Sequence, residues 1–322
     1  MPLLRFIPET TNVNFVKYRF VAFAIDGLLV VVSVISIFLH SFNFGIDFTG
    51  GELIAVKAAQ VIDVSKMRGD IISLGFNDPV VQTYGGGVCD QPAGSCAMIR
   101  IQPKAAAPGV NADAAEQASV QAIKAKLGTS YQYLNTEVVG PKVSGELLSD
   151  GIIATVLAVI FISLYVAVRF EWQYGIGALI ATAHDVFVTA GFFSVLQLEF
   201  NLYTVASLLL LAGYSINDTV VVFDRIRENF RKFRKAGVAD IINNAITATM
   251  SRTIITHGCT QLVVTSMLFF GGATLHNFAL ALTIGILFGI YSSVLVSSPI
   301  VLWLGATRAH FIKPEGTSPQ GG

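Results

Sequence analysis

The residues best able to do chemistry in this chain are ionisable groups set inside apolar runs. The run from Leu202 to Phe223, within NLYTVASLLLLAGYSINDTVVVFDRIRENF (201–230), is about the ~20 residues that a helix needs to cross a hydrocarbon core, yet it carries Asn217 and Asp218. A central Asp costs roughly 2.5–3.5 kcal/mol on insertion scales, so such a residue faces a bundle interior or a water path and marks an ion or proton route. Asp218 is therefore the first functional candidate; a structural hydrogen bond to a neighbouring helix is the alternative reading. Arg225 follows two turns later, roughly 10 Å away, too far for a direct ion pair unless it folds back.

Asp26, His184, Asp185 and His257 also fall in apolar runs, and Arg252 stands at the mouth of the fifth. Asp26 and His257 approach the depth of Asp218, whereas His184 and Asp185 sit nearer mid-membrane. A carboxylate paired with a movable cation can exchange a proton as the partner withdraws, which is the core of a proton-coupled device. Against that, Asp26 and Arg252 could snorkel to the interface, and His184 and Asp185 could simply join helices.

These groups need a membrane bundle to position them. The chain has 322 residues, 53% hydrophobic and 13% charged, far below the ~25% charged of soluble domains. Apolar spans are expected at 20–39, 152–168, 174–198, 202–223, 254–272 and 278–304. The first is too long for a signal-peptide core and no small-residue cleavage pattern follows, so it reads as an uncleaved anchor. The termini and the loops on one side carry thirteen Lys and Arg, including the basic run after Phe223, whereas the short loops around Glu199 and His276 carry none. Both termini (1–19 and 305–322) and a basic loop at 224–252 are therefore expected in the cytoplasm. Within that loop, 239–251 has helical spacing and suits a helix at the interface or under the bundle.

Between the first two spans, 41–148 reads as one extracytoplasmic domain. Strand patterns at 53–57, 79–84, 97–102 and 131–139 alternate with helical stripes, Val64, Met67, Ile71 and Leu74 in one and Val120, Ile123 and Leu127 in the other. Asp113 and Glu116 resemble a capping box. The order β-α-β-β-α-β is that of a ferredoxin-like α+β domain. The fold class is thus an α-helical membrane protein with six transmembrane helices and such a domain outside. A glycine-rich loop holds Cys89 and Cys96, which could close a disulfide in an oxidising compartment, with free thiols as the alternative. No zinc spacing, catalytic nucleophile or phosphate loop is present, so neither metal, cofactor nor covalent chemistry is expected, and zero net charge gives no field to recruit nucleic acid.

Six blocks carry a resemblance over essentially the whole chain: FNFGIDFTGG (42–51), VGPKVSGEL (139–147), RFEW (169–172), AHDV (183–186), GYSINDTVVVFDRIRENFR (213–231) and RTIIT (252–256). Their sequence and order resemble the SecF family, the smaller membrane subunits of the bacterial SecDF protein-export complex, within the resistance-nodulation-division superfamily. The resemblance implies a subunit of the inner membrane that works with SecD and the SecYEG channel and uses protons to promote forward transfer of a preprotein. It makes Asp218 the family's essential carboxylate, Arg252 its basic partner, and Asp47, Gly50 and Gly51 part of the signature after the first helix. The alternatives are half of a proton-driven exporter of small molecules or lipids and a passive scaffold for the channel.

Overall fold

The structure, a computed structural model, describes residues 13–85, 89–90, 92–102, 112–233 and 235–305. The expected Asp113 cap, the middle of the glycine-rich loop and the basic tail beyond 305 lie outside the described side chains.

Among the described residues, six helices are long and apolar enough to cross a membrane. They are α1 (Arg19–His40), α5 (Pro141–Arg169), α6 (Trp172–Val195), α7 (Leu202–Lys232), α8 (Val238–Phe270), and a last span built from α9 (Gly272–Ser292), a π turn (Ser293–Ser297) and α10 (Ser298–Trp303). Of the most apolar stretch of each span, 61%, 50% and 56% is buried for α6, α7 and the last span, against 17–22% for α1, α5 and α8. The first three thus form the centre, and the other three wrap it. Buried polar residues occur on central and wrapping helices alike, Asp185 and Asp218 on α6 and α7 and Asp26, Thr253 and His257 on the inward faces of α1 and α8, because a buried helix face is where a polar side chain finds partners.

Several helices overrun the expected spans. α5 starts at Pro141, because Pro suits the first helical position and no strong breaker follows, so its polar first turns stand above the apolar span. The stretch 224–252, expected as a basic loop, is largely helix: α7 runs on to Lys232 and α8 begins at Val238. The helix expected separately at 239–251 is therefore the first part of α8. Its apolar face, with Ile241, Ile242, Ala245 and Ile246, packs against Phe223, Ile226 and Phe230 of α7, so there was burial to gain by continuing both helices past the apolar span.

Outside the bundle, β2 (Gly51–Ala58), α3 (Val64–Ile72), β3 (Val80–Tyr84), β4 (Cys96–Ile101), α4 (Ala112–Leu127) and β5 (Tyr131–Val139) follow in order. The four strands form an antiparallel sheet in the order β3-β4-β2-β5. Ile54 and Val56 of β2 and Ile99 and Ile101 of β4 alternate onto the face that receives Met67 and Ile71 of α3 and Ile123 of α4. Cys89 and Cys96 are joined by a disulfide with a Cα separation of 5.4 Å.

Module and bundle meet through a feature too short to predict. β1 (Asn43–Phe44) pairs in parallel with β6 (Glu199–Phe200), so the exit of α1 is laced to the α6–α7 connection. Arg100 of β4 reaches down to the Phe44 carbonyl (3.2 Å) and Asn43 Oδ1 (3.2 Å), with Glu199 Oε2 at 3.9 Å. After β1 comes one helical turn, α2 (Ile46–Thr49), then Gly50 and Gly51 at φ 71° and 126°. A Cβ on Gly51 would lie 2.3 Å from the Ile101 carbonyl oxygen, so that position requires glycine on both counts.

Candidate proton-coupling site

Asp218 lies on the buried face of α7 and is 5% exposed. α8 supplies Thr253, whose hydroxyl donates to the carboxylate at 2.9–3.0 Å, and His257, whose Nε2 stands 3.5 Å from Oδ2. These two are four residues apart and therefore on one face of α8. The last span supplies Ser293, whose hydroxyl lies 3.5 Å from Oδ2. The Tyr214 ring closes the site edge-on to His257, with centroids 5.1 Å apart.

The π turn explains how Ser293 reaches the site. Pro299 has no N–H to give the carbonyl four residues back, so an α-helix cannot run through it unaltered. The chain widens to π geometry over Ser293–Ser297, and the hydroxyls of Ser297 and Ser298 bond back to the Ser293 carbonyl at 2.8 and 3.3 Å. Such turns commonly occur at functional sites.

A second polar group adjoins the first. Asp185, fully buried on α6, receives the Ser215 hydroxyl at 2.5 Å and the Ser292 hydroxyl at 2.7 Å on Oδ2. Gly289 leaves room for this: a Cβ there would stand 3.3 Å from Ser215 Oγ and 3.7 Å from Asp185 Oδ2. His184 Nδ1 lies 3.2 Å from Asp185 Oδ1, and its Nε2 lies 3.4 Å from Asp26 Oδ1 on α1. Ser292 and Ser293 are neighbours and Ser215 precedes Asp218 by one turn, so the two groups are contiguous.

The structure thus gathers Asp26, His184, Asp185, Asp218 and His257. It sets Asn217 and Arg252 apart: both are exposed, and among the described residues no ion pair joins Arg252 to Asp218. Arg225 instead pairs with Glu228 at 2.6 Å. Asp47 sits at the outer end of α7, where its Oδ2 accepts the Leu202 N–H at 2.8 Å beside the capping box of Asn201 and Thr204. A carboxylate there satisfies a free amide and complements the helix dipole. Sequence reading missed Thr253, Ser215, Ser292 and Ser293. A usable signal was the unusual serine density at 292–298 just before a proline.

A membrane bundle with a buried carboxylate chain and one small outer module defines a class, and comparison gives its family. Residues 119–307 match the family described as protein export membrane protein SecD/SecF, C-terminal. The SecF protein translocase subunit of Vibrio alginolyticus is 40% identical over 313 residues, 97% of this chain and 96% of that one. That of Haemophilus influenzae is 40% identical over 302 residues, covering 94% and 89%. The crystal structure of SecDF from Thermus thermophilus, a translocon-associated membrane protein, superposes with a TM-score of 0.79 at 32% identity over 93% of this chain, which spans 40% of that longer one. The chain belongs to the SecF family of protein translocase subunits.

Proposed function

We propose that the chain is an accessory subunit of the Sec preprotein translocase in the inner membrane. With SecD and the SecYEG channel, it uses the proton-motive force to promote forward movement of exported proteins. Both termini are cytoplasmic in this reading and the sheet module faces the periplasm, as the basic-residue distribution supports. The β-α-β-β-α-β order and the sheet order support describing that module as ferredoxin-like.

The observation that carries the reading is Asp218, a carboxylate inside a bundle, held by hydroxyl and imidazole groups from two other spans. Such a group can take up and release a proton while its partners rearrange, and Asp47 and the β1–β6 lacing connect the same helix to the outer module. Arg252 is one residue from Thr253 but turned outward. With Asn217 it gives the α7–α8 face a polarity unsuited to lipid, which supports covering of this face by a second subunit. A modest rotation of α8 would exchange Thr253 for Arg252 at the carboxylate, and that is the role assigned to it.

One charge crossing ~100 mV releases about 2.3 kcal/mol, enough to bias a two-state element tens of fold. The test is preprotein translocation into membrane vesicles with and without a proton gradient. Asp218→Asn should abolish the stimulation by the gradient and leave the translocation seen without a gradient in place. Normal stimulation in that variant would leave the passive-scaffold reading instead. Family membership supports protein export over small-molecule export.

A further inference from the structure

The bundle holds ionisable groups that this account of Asp218 does not use. Asp26 is buried between the Tyr291 hydroxyl and the His184 imidazole, whose Nε2 stands 3.4 Å from Oδ1 and has no other hydrogen-bond partner. The titratable groups facing Asp26 are His184 and Asp185 on α6 and Tyr291 on α9, and the Tyr291 hydroxyl donates to the Ala22 carbonyl at 2.9 Å. Buried polar groups are normally fully hydrogen-bonded, so a carboxylate and an imidazole this sparsely satisfied call for an explanation. A cleft of about 840 Å³ lies between α1, α6 and α10, with Asp26 and His184 in an otherwise apolar wall that includes Ile180, Ile300 and Trp303.

We propose that Asp26, His184 and Asp185 form a proton relay joining the Asp218 centre to this cleft, with Asp26 as its terminal proton-binding station. The proposal rests on the reading of Asp218 as the coupling carboxylate, and supplies it with a route. In the relay step, protonated Asp185 gives its proton to His184 Nδ1 while Nε2–H passes its own to the Asp26 carboxylate. One proton leaves Asp185, one arrives on Asp26, and the imidazole ends neutral in the other tautomer, to be reset by ring rotation or exchange with water. The connection inward runs by Ser215 and Ser292, which hold Asp185, to Ser293, which faces Asp218. Asp26 is seven residues from the start of α1, so in the orientation proposed above the cleft lies toward the cytoplasmic, proton-releasing side.

Infrared pH titration of the chain purified with its partner subunit reads protonated carboxyl groups directly. Asp26→Asn is expected to remove one titrating carboxyl band, Asp26→Glu to retain one, and His184→Gln to move the band's midpoint by about one pH unit or more. Asp218→Asn should leave this band in place, so failure of the Asp218 reading and failure of the relay are separable. The relay is overturned if Asp26→Asn removes no titrating band or if the midpoint ignores His184→Gln. Should Asp26→Asn not assemble, the His184→Gln titration decides alone.

Discussion

Asp218 in the bundle and Glu52 in the outer module are both carboxylates with almost no exposure, 5% and 1%, and they are held in opposite ways. Asp218 is surrounded by donors from α8 and the last span. Glu52 has one oxygen without a partner, and burial together with the neighbouring Glu116 pushes its pKa up to about 7, against a mild lowering by the Ser119 hydroxyl. Depth of burial alone therefore does not separate the carboxylate proposed to couple from one that is only buried. What differs is the solvation that the protein supplies: hydroxyl and imidazole groups able to follow a change of charge at Asp218, and a like charge at Glu52 that keeps a proton in place.

The largest effect expected from this contrast is on coupling. Asp218→Asn should remove up to about fiftyfold of the gradient's stimulation at 100 mV, the equivalent of one proton, whereas Glu52→Gln should leave the stimulation unchanged in the same vesicle assay. Next come changes in module stability. Ile54→Ala, in the sheet core, should destabilise the module by about 2–5 kcal/mol in denaturant melts without altering the response to the gradient of the protein that remains folded.

Glu52 gives a pH dependence of known sign. Its folded-state pKa lies above the ordinary 4.5, so between about 4.5 and about 7 the folded module binds more protons than the unfolded chain. Module stability should therefore fall as pH rises through that window, by on the order of 3 kcal/mol, and level off above it. Glu52→Gln should flatten the profile and raise the melting temperature at pH 8. A profile as steep in the variant as in the parent would show that Glu52 is not its source. The smallest effect belongs to Asp47: Asp47→Ala should cost about 1 kcal/mol by leaving the Leu202 amide uncapped, seen as faster hydrogen exchange in the first turn of α7.

How much of this was legible in the sequence follows the physics of each element. Asp218, Asp26, His184 and Asp185 stand out because charge inside an apolar run is rare, so each marks itself without knowledge of its neighbours. Thr253, Ser215, Ser292 and Ser293 do not, because hydroxyl residues are ordinary in membrane helices and only the packing shows which of them face a carboxylate. The module's strands were readable from alternation, as at Ile99 and Ile101, but the two-residue strands β1 and β6 were not, since pairing of that length has no periodicity. The continuation of α7 and α8 past the apolar span was hidden for a related reason. Hydropathy marks where lipid ends, whereas the helices end where the burial of Ile226 and Phe230 against Ile241 and Ala245 ends.

The central claim is that a proton at position 218 moves the outer module, and a distance across the molecule tests it most directly. With Cys259 replaced by Ser, spin labels at Arg68→Cys in α3 and Lys235→Cys before α8 report that distance in the assembled complex within vesicles. Imposing a proton gradient should shift the distance distribution of the parent and leave the Asp218→Asn protein in a single fixed distribution. An identical shift in both proteins would contradict the account.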